Sequence, residues 1–394
     1  MESWLAAGSA FGFAVVVAAA GVVRGRFYAT YAAVILGVHT LASVGLVSTF
    51  AWAFPVYALL QATVYLHFLA LVRPRMRSMP YRLLISIPAS WFAASTLLAL
   101  PWALLTLFGF HPWWPGLPYL VASLGVIDSL FGREEIVDLV LDGQQVPALT
   151  RRARGGERAS RPLRIVQITD PHLGPFMSVG RLRRIVERAV ARDPDLILLT
   201  GDFLTMESQG DSRYLTEALA PLVPYAGRTF ACRGNHDLEC PEIVARALES
   251  AGVKLLNDEA VRLDMPSGPV EILGIDFRFR KRAEHIASVV AANPRQGGEL
   301  RIAMLHDPGA FKHVPDGAAD LVLSGHTHGG QLGLLWLGLE ATIVSALTSL
   351  PDHGFWANGS NRLYVHRGTG HYGFPLRVGV PAEHSLLQVH LVPR

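Results

Sequence analysis

Five short apolar runs in this 394-residue chain end in residues that can bind metals or move protons. Leu163–Thr169 runs into Asp170-Pro171-His172, Asp195–Thr200 into Gly201-Asp202, and Arg228–Arg233 into Gly234-Asn235-His236-Asp237. Arg301–Leu305 leads to His306-Asp307, and Leu321–Ser324 to Gly325-His326-Thr327-His328. Taken singly these endings are weak signals: Asp-Pro-His is usually a turn with satisfied side chains, and Gly-Asp a turn or helix cap. Together they are oxygen and nitrogen donors with no cysteine, a set that suits two divalent cations such as Mn, Fe or Zn. Two neighbouring cations repel, so one anionic side chain must lie between them. Such a pair activates water at neutral pH and clamps the oxygens of a phosphate, which is the chemistry of phosphoester hydrolysis.

The elements that must position these residues alternate between two periods. The apolar runs are short and uninterrupted, as buried strands are, and "VGRLRRIVERAVARD" (Val179–Asp193) carries apolar residues at helical spacing with Arg and Glu on its other faces. Tyr214–Val223 and Pro241–Gly252 read as helices, the second opening with Pro and closing with Gly. Strands alternating with helices predict an α/β domain, and α/β sheets build their sites at the C-terminal ends of strands.

The series resembles that of the calcineurin-like metallophosphoesterase family: D-x-H, GD, GNH[DE], a lone H, then GHxH. The run "GHTHGGQ" and the later "HRGTGHYGFPLRVG" resemble bacterial membrane-associated members with several N-terminal spans. The resemblance implies two mixed sheets sandwiched together and flanked by helices. It implies that Asp170, His172 and His328 bind a first metal, that Asp202 bridges, and that Asn235, His306 and His326 complete a second. His236 would be no ligand but would stand beside the scissile phosphate and assist the leaving oxygen. One position departs from the pattern. Several relatives place an acid three residues after the bridging aspartate, where this chain has Thr205; Asp237, Glu239 or backbone groups would then orient His236.

Half of the residues are hydrophobic and 17% are charged, low for a wholly soluble protein. The asymmetry lies in residues 1–132, read as a transmembrane helical domain, followed by a connecting strand and basic linker over 133–162 and a metallophosphoesterase domain over 163–394. Trp4–Val23 is long enough to span, Tyr28–Val72 long enough for two spans with a break near Pro55, and Leu83–Phe110 gives another. Trp113–Phe131, with Asp128 inside it, is a weaker last candidate, so four or five spans are expected. Arg24 and Arg26, then Arg73, Arg75, Arg77 and Arg82, mark loops expected in the cytoplasm; five spans would leave the catalytic domain there too, whereas it lies outside if Trp113–Phe131 only rests on the surface. The basic run Leu149–Arg161 favours the cytoplasm, and could equally rest on anionic headgroups. His39 and His67 lie within these spans and read as interhelical hydrogen-bonding groups, a haem bridging them being the remoter alternative.

Net charge is +3 and argues against a nucleic-acid partner. Cys232 and Cys240 are too few for a disulfide framework, though they could pair. Arg233, Arg367 and Arg377 read more readily as surface charges than as phosphate ligands, and His366 as a strand-end residue. His371, in "GTGHYG", lies in a loop that could line the cleft. Leu332–Leu350 is unexpectedly apolar for a segment after an active-site turn, being either a buried insertion or a surface that dips into a bilayer. The reading is thus a membrane-anchored dinuclear-metal phosphohydrolase acting on a phosphorylated small molecule or lipid. The alternatives are a soluble-nucleotide or cyclic-nucleotide phosphodiesterase activity and a membrane sensor that only binds phosphates.

Overall fold

The computed structural model describes residues 2–110, 113–153 and 161–391, which fall into two compact units. The first comprises residues 1–130 with 206–208 and 373–378. Its helices are lipid-like in composition, but fewer qualify as spans than the sequence leads one to expect. Glu2–Val23 and the 46-residue stretch Arg26–Leu71 are long and apolar enough to cross a membrane, and a bent pair, Met79–Leu98 with Leu100–Leu107, makes at most a third. That pair is broken by 56° where Pro101 enters the first turn of the second helix and can neither extend the preceding helix nor donate to it. Leu117–Ser129 has only 13 residues, about 20 Å of helix against a bilayer core of about 30 Å. The Arg26–Leu71 stretch is itself interrupted at Phe50, and its arms are hydrogen-bonded to each other. His39 Nε2 meets Gln61 Oε1 at 3.0 Å, Tyr57 OH donates to the Ser43 carbonyl, and Gln61 also reaches Ser9 and Tyr65. His39 therefore serves in interhelical hydrogen bonding, which satisfies polar groups that lipid cannot.

The second unit, residues 131–205, 209–372 and 379–394, is built on thirteen strands among the described residues. They are β1 (Gly132–Leu141), β2 (Val146–Arg151), β3 (Leu163–Ile168), β4 (Leu196–Leu199), β5 (Thr229–Ala231), β6 (Lys254–Leu255), β7 (Glu259–Met265), β8 (Gly268–Ile275), β9 (Leu300–Leu305), β10 (Leu321–Ser324), β11 (Gly354–Gly359), β12 (Asn361–Val365) and β13 (Ala382–Leu391). One mixed sheet runs β1-β13-β3-β4-β5-β6 and the other β2-β11-β12-β10-β9-β8-β7. Strands β3 to β6, and β8, β9, β10 and β12, are parallel to their neighbours within the group. Within the segment read as a connecting strand and basic linker, β1 and β2 join different sheets; residues 154–160 of the basic run lie outside the described residues.

Side-chain alternation along β4 shows how the layers are held. Leu196 and Leu198 enter a core filled from both sheets by Leu139, Ile165, Phe230, Ile302, Met304 and Leu323. Ile197 and Leu199 face the other way, into a core shared with helices Val179–Val190, Arg213–Leu219 and Pro241–Ser250. Beyond the second sheet a third core packs helix Arg282–Ala292. The order is helix, sheet, sheet, helix. Because both faces of the inner strands are covered, their sequences read as unbroken apolar runs rather than alternating ones. Helix Val179–Val190 begins where Ser178 accepts the Arg181 amide and stops three residues short of Asp193. Cys232 and Cys240 are buried and unpaired with each other.

Candidate metal centre

Each of β3, β4, β9 and β10 delivers its polar residues as the chain leaves the sheet, and the turns there are tight. Among the described residues ten non-glycine positions have positive φ, and five of them are Asp170, His172, Asp202, His326 and His328. Left-handed backbone costs about 1–3 kcal/mol at each such position. Its concentration here aims side chains at one point at the expense of stability. Glycines make the close approach possible. A Cβ at Gly325 would overlap Asp170 Oδ2 and Thr169 Oγ1, and one at Gly234 would overlap Asp202 Oδ1. Gly325→Ala is therefore expected to displace the Asp170 carboxylate and cut bound metal at least tenfold, read by metal analysis of the purified protein; unchanged content would contradict this packing.

Two triads converge, buried except for the half-buried His326. Asp170, His172 and His328 offer donor atoms mutually within 4.8 Å, and so do Asp202, His306 and His326. His328 Nε2 lies 3.4 Å from Asp170 Oδ1. Asp202 Oδ2 stands between the groups, 3.8 Å from His172 Nε2 and 3.2 Å from His306 Nε2. The His306 Nδ1–H donates to the Thr200 carbonyl at 2.6 Å, which fixes the ring and turns Nε2 inward. Asp170 accepts from the His326 amide and the Thr169 hydroxyl. Asp202 Oδ1 accepts the His236 amide, leaving Oδ2 for the centre.

The donor set fits divalent cations on an observation of its own. His172 Nε2 and Asn235 Oδ1 are buried with no hydrogen-bond partner, whereas buried polar atoms are nearly always paired. The field points the same way. Burial opposes protonation of His306, yet the charge and hydrogen bond of Asp202, with the charge of Asp170, raise its pKa to about 10. Burial opposes ionisation of Asp202 as well, but His306, then His172 and His236, hold its carboxyl well below the usual range. A pocket that retains a proton this strongly is one that a cation can enter by displacing it.

Around the triads stand residues that belong to neither of them. His236 lies beside the centre, its ring centroid 5.5 Å from that of His172, and its Nδ1 is 3.0 Å from Glu239 Oε1. Glu239 Oε2 in turn accepts from Gln209 Nε2 at 3.0 Å. Of the groups considered for orienting His236, Glu239 is the one in contact. Asp237 instead accepts the amides of Asp202, Phe203 and Gly234, clasping two of the metal-site turns together. Burial and the charge of Asp202 push its pKa up to about 7. Thr205 donates to the Leu173 carbonyl and takes no part in holding His236.

Several expectations are corrected by burial. Arg233 is bound bidentately to Asp276 at 2.9 and 2.7 Å. Arg367 is buried against Glu135 and Glu383, and Arg377 is fully buried in the first unit. None of the three is a surface charge. His366 ends β12 and is buried, and His371 packs against Phe176. The loop's contribution to the site is Tyr372, whose ring is 4.3 Å from that of His236 and 4.8 Å from that of His172. Phe277, with its centroid 6.3 and 6.4 Å from those of His306 and His326, closes the opposite side. Neither aromatic was singled out from the sequence. The signal for Phe277 was present, since it lies in "DFRFRKR", where aromatic and basic residues interleave.

Two Asp/His triads at the C-terminal edges of two packed mixed sheets define a metal-dependent hydrolase of phosphate esters. The sequence profile of calcineurin-like phosphoesterases matches residues 163–330, and the chain belongs to that family. It is 30% identical over 251 residues to the metallophosphoesterase YkoQ of Bacillus subtilis, covering 60% of this chain and 87% of that one. Phosphodiesterase YaeI of Escherichia coli is 29% identical over 233 residues, 58% of this chain and 82% of its own. The UDP-2,3-diacylglucosamine pyrophosphatase LpxG of Chlamydia muridarum is 27% identical over 263 residues, 53% of this chain and 78% of its own. The chain is a metal-dependent hydrolase, and its N-terminal apolar helices make it membrane-associated.

Proposed function

We propose that this protein is a membrane-anchored phosphohydrolase with a dinuclear centre, cleaving a phosphodiester or diphosphate bond in a lipid-linked substrate. The convergence of the two triads, with the orphaned donor atoms His172 Nε2 and Asn235 Oδ1, carries the reading. Asp170, His172 and His328 hold one cation, Asn235, His306 and His326 the other, and Asp202 lies between them. Mn, Fe and Zn all suit these donors. Bound there, two such ions activate water and withdraw charge from phosphate oxygens. The chain's own residues supply the rest. His236 presents its ring to the leaving oxygen and passes it a proton or a hydrogen bond. Glu239 holds the Nδ1 side of that ring, and Tyr372 packs against it and limits its rotation.

The lipid part of the proposal is supported by the loop after the metal turn. Leu334, Trp336, Leu337, Leu339, Ile343, Leu347 and Leu350 are all exposed, Leu337 at 72% and Leu347 at 77%. They form no buried insertion. The loop is nevertheless held at its base, where Asp352 receives Thr342 and Arg151. Its one charge, Glu340, is paired with Arg151. An exposed apolar surface with a paired charge is suited to a bilayer, and a chain with membrane-crossing helices has one at hand. The basic residues Arg133, Arg151 and Arg152 support a cytoplasmic placement of the catalytic unit.

The test uses the purified full chain in lipid vesicles with Mn, Fe or Zn supplied in turn, against soluble monoesters, soluble diesters and a lipid diphosphate. Metal-dependent turnover, highest on the lipid diphosphate, is expected; no turnover of any phosphate compound would defeat the reading. In the Trp336→Ser/Leu337→Ser variant, the ratio of lipid-diphosphate to soluble-diester kcat/KM is expected to fall about tenfold or more, as burial of large apolar side chains predicts. A ratio equal to that of the unaltered chain would remove the bilayer role of the loop.

A further inference from the structure

The six residues between β8 and the following helix, with that helix's first residue, Arg282, form an arm over the metal centre. β8 runs parallel to β9, so its C-terminal end opens on the edge that carries His306. The arm reads Asp276-Phe277-Arg278-Phe279-Arg280-Lys281-Arg282, four cations against one acid. Its two ends are tied down. Asp276 is held by Arg233, the residue before the Gly234-Asn235-His236 turn. Arg282 pairs with Asp307, next to His306, at 2.6 Å and lies over the Phe277 ring. Phe277 is buried against two of the metal-site histidines.

The middle of the arm is left open. Phe279 stands edge-on to Phe277 at 4.8 Å with 68% of its surface exposed. Arg280 is exposed and has no ion-pair partner among the described residues. Arg278 comes no closer than 3.9 Å to Asp258, and Lys281 meets only exposed Glu284 at 3.6 Å. Lys281 also takes left-handed backbone, φ 55°, which turns the chain sharply from arm to helix. Beneath lies a narrow crevice whose lining includes Arg278, Arg282 and His285, and which shares His306 as a wall with the metal site.

Cations kept exposed beside a phosphate-binding centre, on an arm whose acids are already neutralised, are provision for further negative charge on the substrate. We propose that Arg278 and Arg280 bind a second phosphate group of a substrate whose first phosphate lies at the metal centre, so that the preferred substrate class is a diphosphate. Guanidinium forks suit this task because each can offer two parallel N–H donors to one phosphate. Phe279 supplies an exposed ring beside them for the remainder of the molecule. The inference rests on the hydrolase reading for the position of the first phosphate.

The test compares the full chain with Arg278→Gln/Arg280→Gln. One measurement is the ratio of kcat/KM for a soluble dinucleoside diphosphate to that for bis(p-nitrophenyl) phosphate. The other is binding of methylenediphosphonate by calorimetry, which needs no turnover. The ratio is expected to fall, and the methylenediphosphonate dissociation constant to rise, by roughly tenfold or more, as loss of charged hydrogen bonds predicts. If the ratio and the affinity both stay at the values of the unaltered chain, the arm is no second-phosphate site. If the unaltered chain hydrolyses neither compound yet binds methylenediphosphonate in an arginine-dependent manner, the arm stands and the hydrolase reading fails.

Discussion

Asp202→Asn is expected to reduce turnover about a thousandfold and to leave the purified protein short of at least one of two metals per chain. The substitution is nearly isosteric. Asparagine can still accept the His236 amide through its side-chain oxygen, as Asp202 Oδ1 does, so the turn keeps its shape. What is lost is a negative charge 3.8 Å from His172 Nε2 and 3.2 Å from His306 Nε2, between two sites meant for cations. The metal-free variant offers a second readout. Asp237 is buried, and its pKa is raised to about 7 first by that burial and then by the charge of Asp202. Removing the neighbour's charge lets Asp237 ionise at lower pH while its three amide donors remain. The group's folded pKa is raised above its unfolded one, so its ionisation opposes folding as pH rises toward 7. Relief of that repulsion offsets part of the lost attraction between Asp202 and His306, so the metal-free thermal midpoint at pH 7 is expected to fall only slightly. A large fall in the midpoint would make Asp202 a structural residue. Full metal content with full rate would end its assignment as the bridge.

Which parts of this centre could be read from the sequence follows from how each is encoded. The residues of the two triads were legible because each follows an apolar run, and a buried parallel strand announces both itself and its end. The two-sheet fold followed from the family resemblance. Membership of individual edges did not, since β1 carries Arg133, Glu134, Glu135 and Asp138 and pairs with β13, some 250 residues away. Hydropathy counted apolar length well but could not see where helices break. The count is lower because Arg26–Leu71 forms one candidate span where two were expected, the pair at Pro101 is bent, and Leu117–Ser129 is short. Arginine burial was misjudged because charge favours exposure on average, and nothing local to Arg233 or Arg367 reveals Asp276 or Glu383 as its partner. The choice between Asp237 and Glu239 was likewise undecidable from spacing. Both stand close after His236, and only the short helical turn Asp237–Glu239 determines that one carboxylate faces backbone amides and the other the imidazole.

That arrangement around His236 gives the remaining large effect. His236→Ala is expected to lower kcat by about 10²–10⁴-fold on a substrate with a poor leaving group, the range typical of removing a general acid. Metal content should remain at the unaltered level, because the His236 side chain belongs to neither triad. A leaving oxygen that is already a weak base needs no proton, so the loss should shrink toward tenfold on a p-nitrophenyl ester. This leaving-group dependence separates proton donation from mere distortion of the turn, which would slow both substrates alike. Glu239→Gln refines the assignment. Glutamine can still accept from His236 Nδ1, 3.0 Å away, but withdraws the charge that favours the protonated ring. Burial lowers the pKa of His236, and the Glu239 hydrogen bond with the charges of Asp202, Glu239 and Asp237 more than restores it. Glu239→Gln should therefore fall between the parent and His236→Ala on the poor leaving group and add little in the double variant, since the two side chains act as one unit. Losses in the double variant that multiply would show that Glu239 works independently of the histidine.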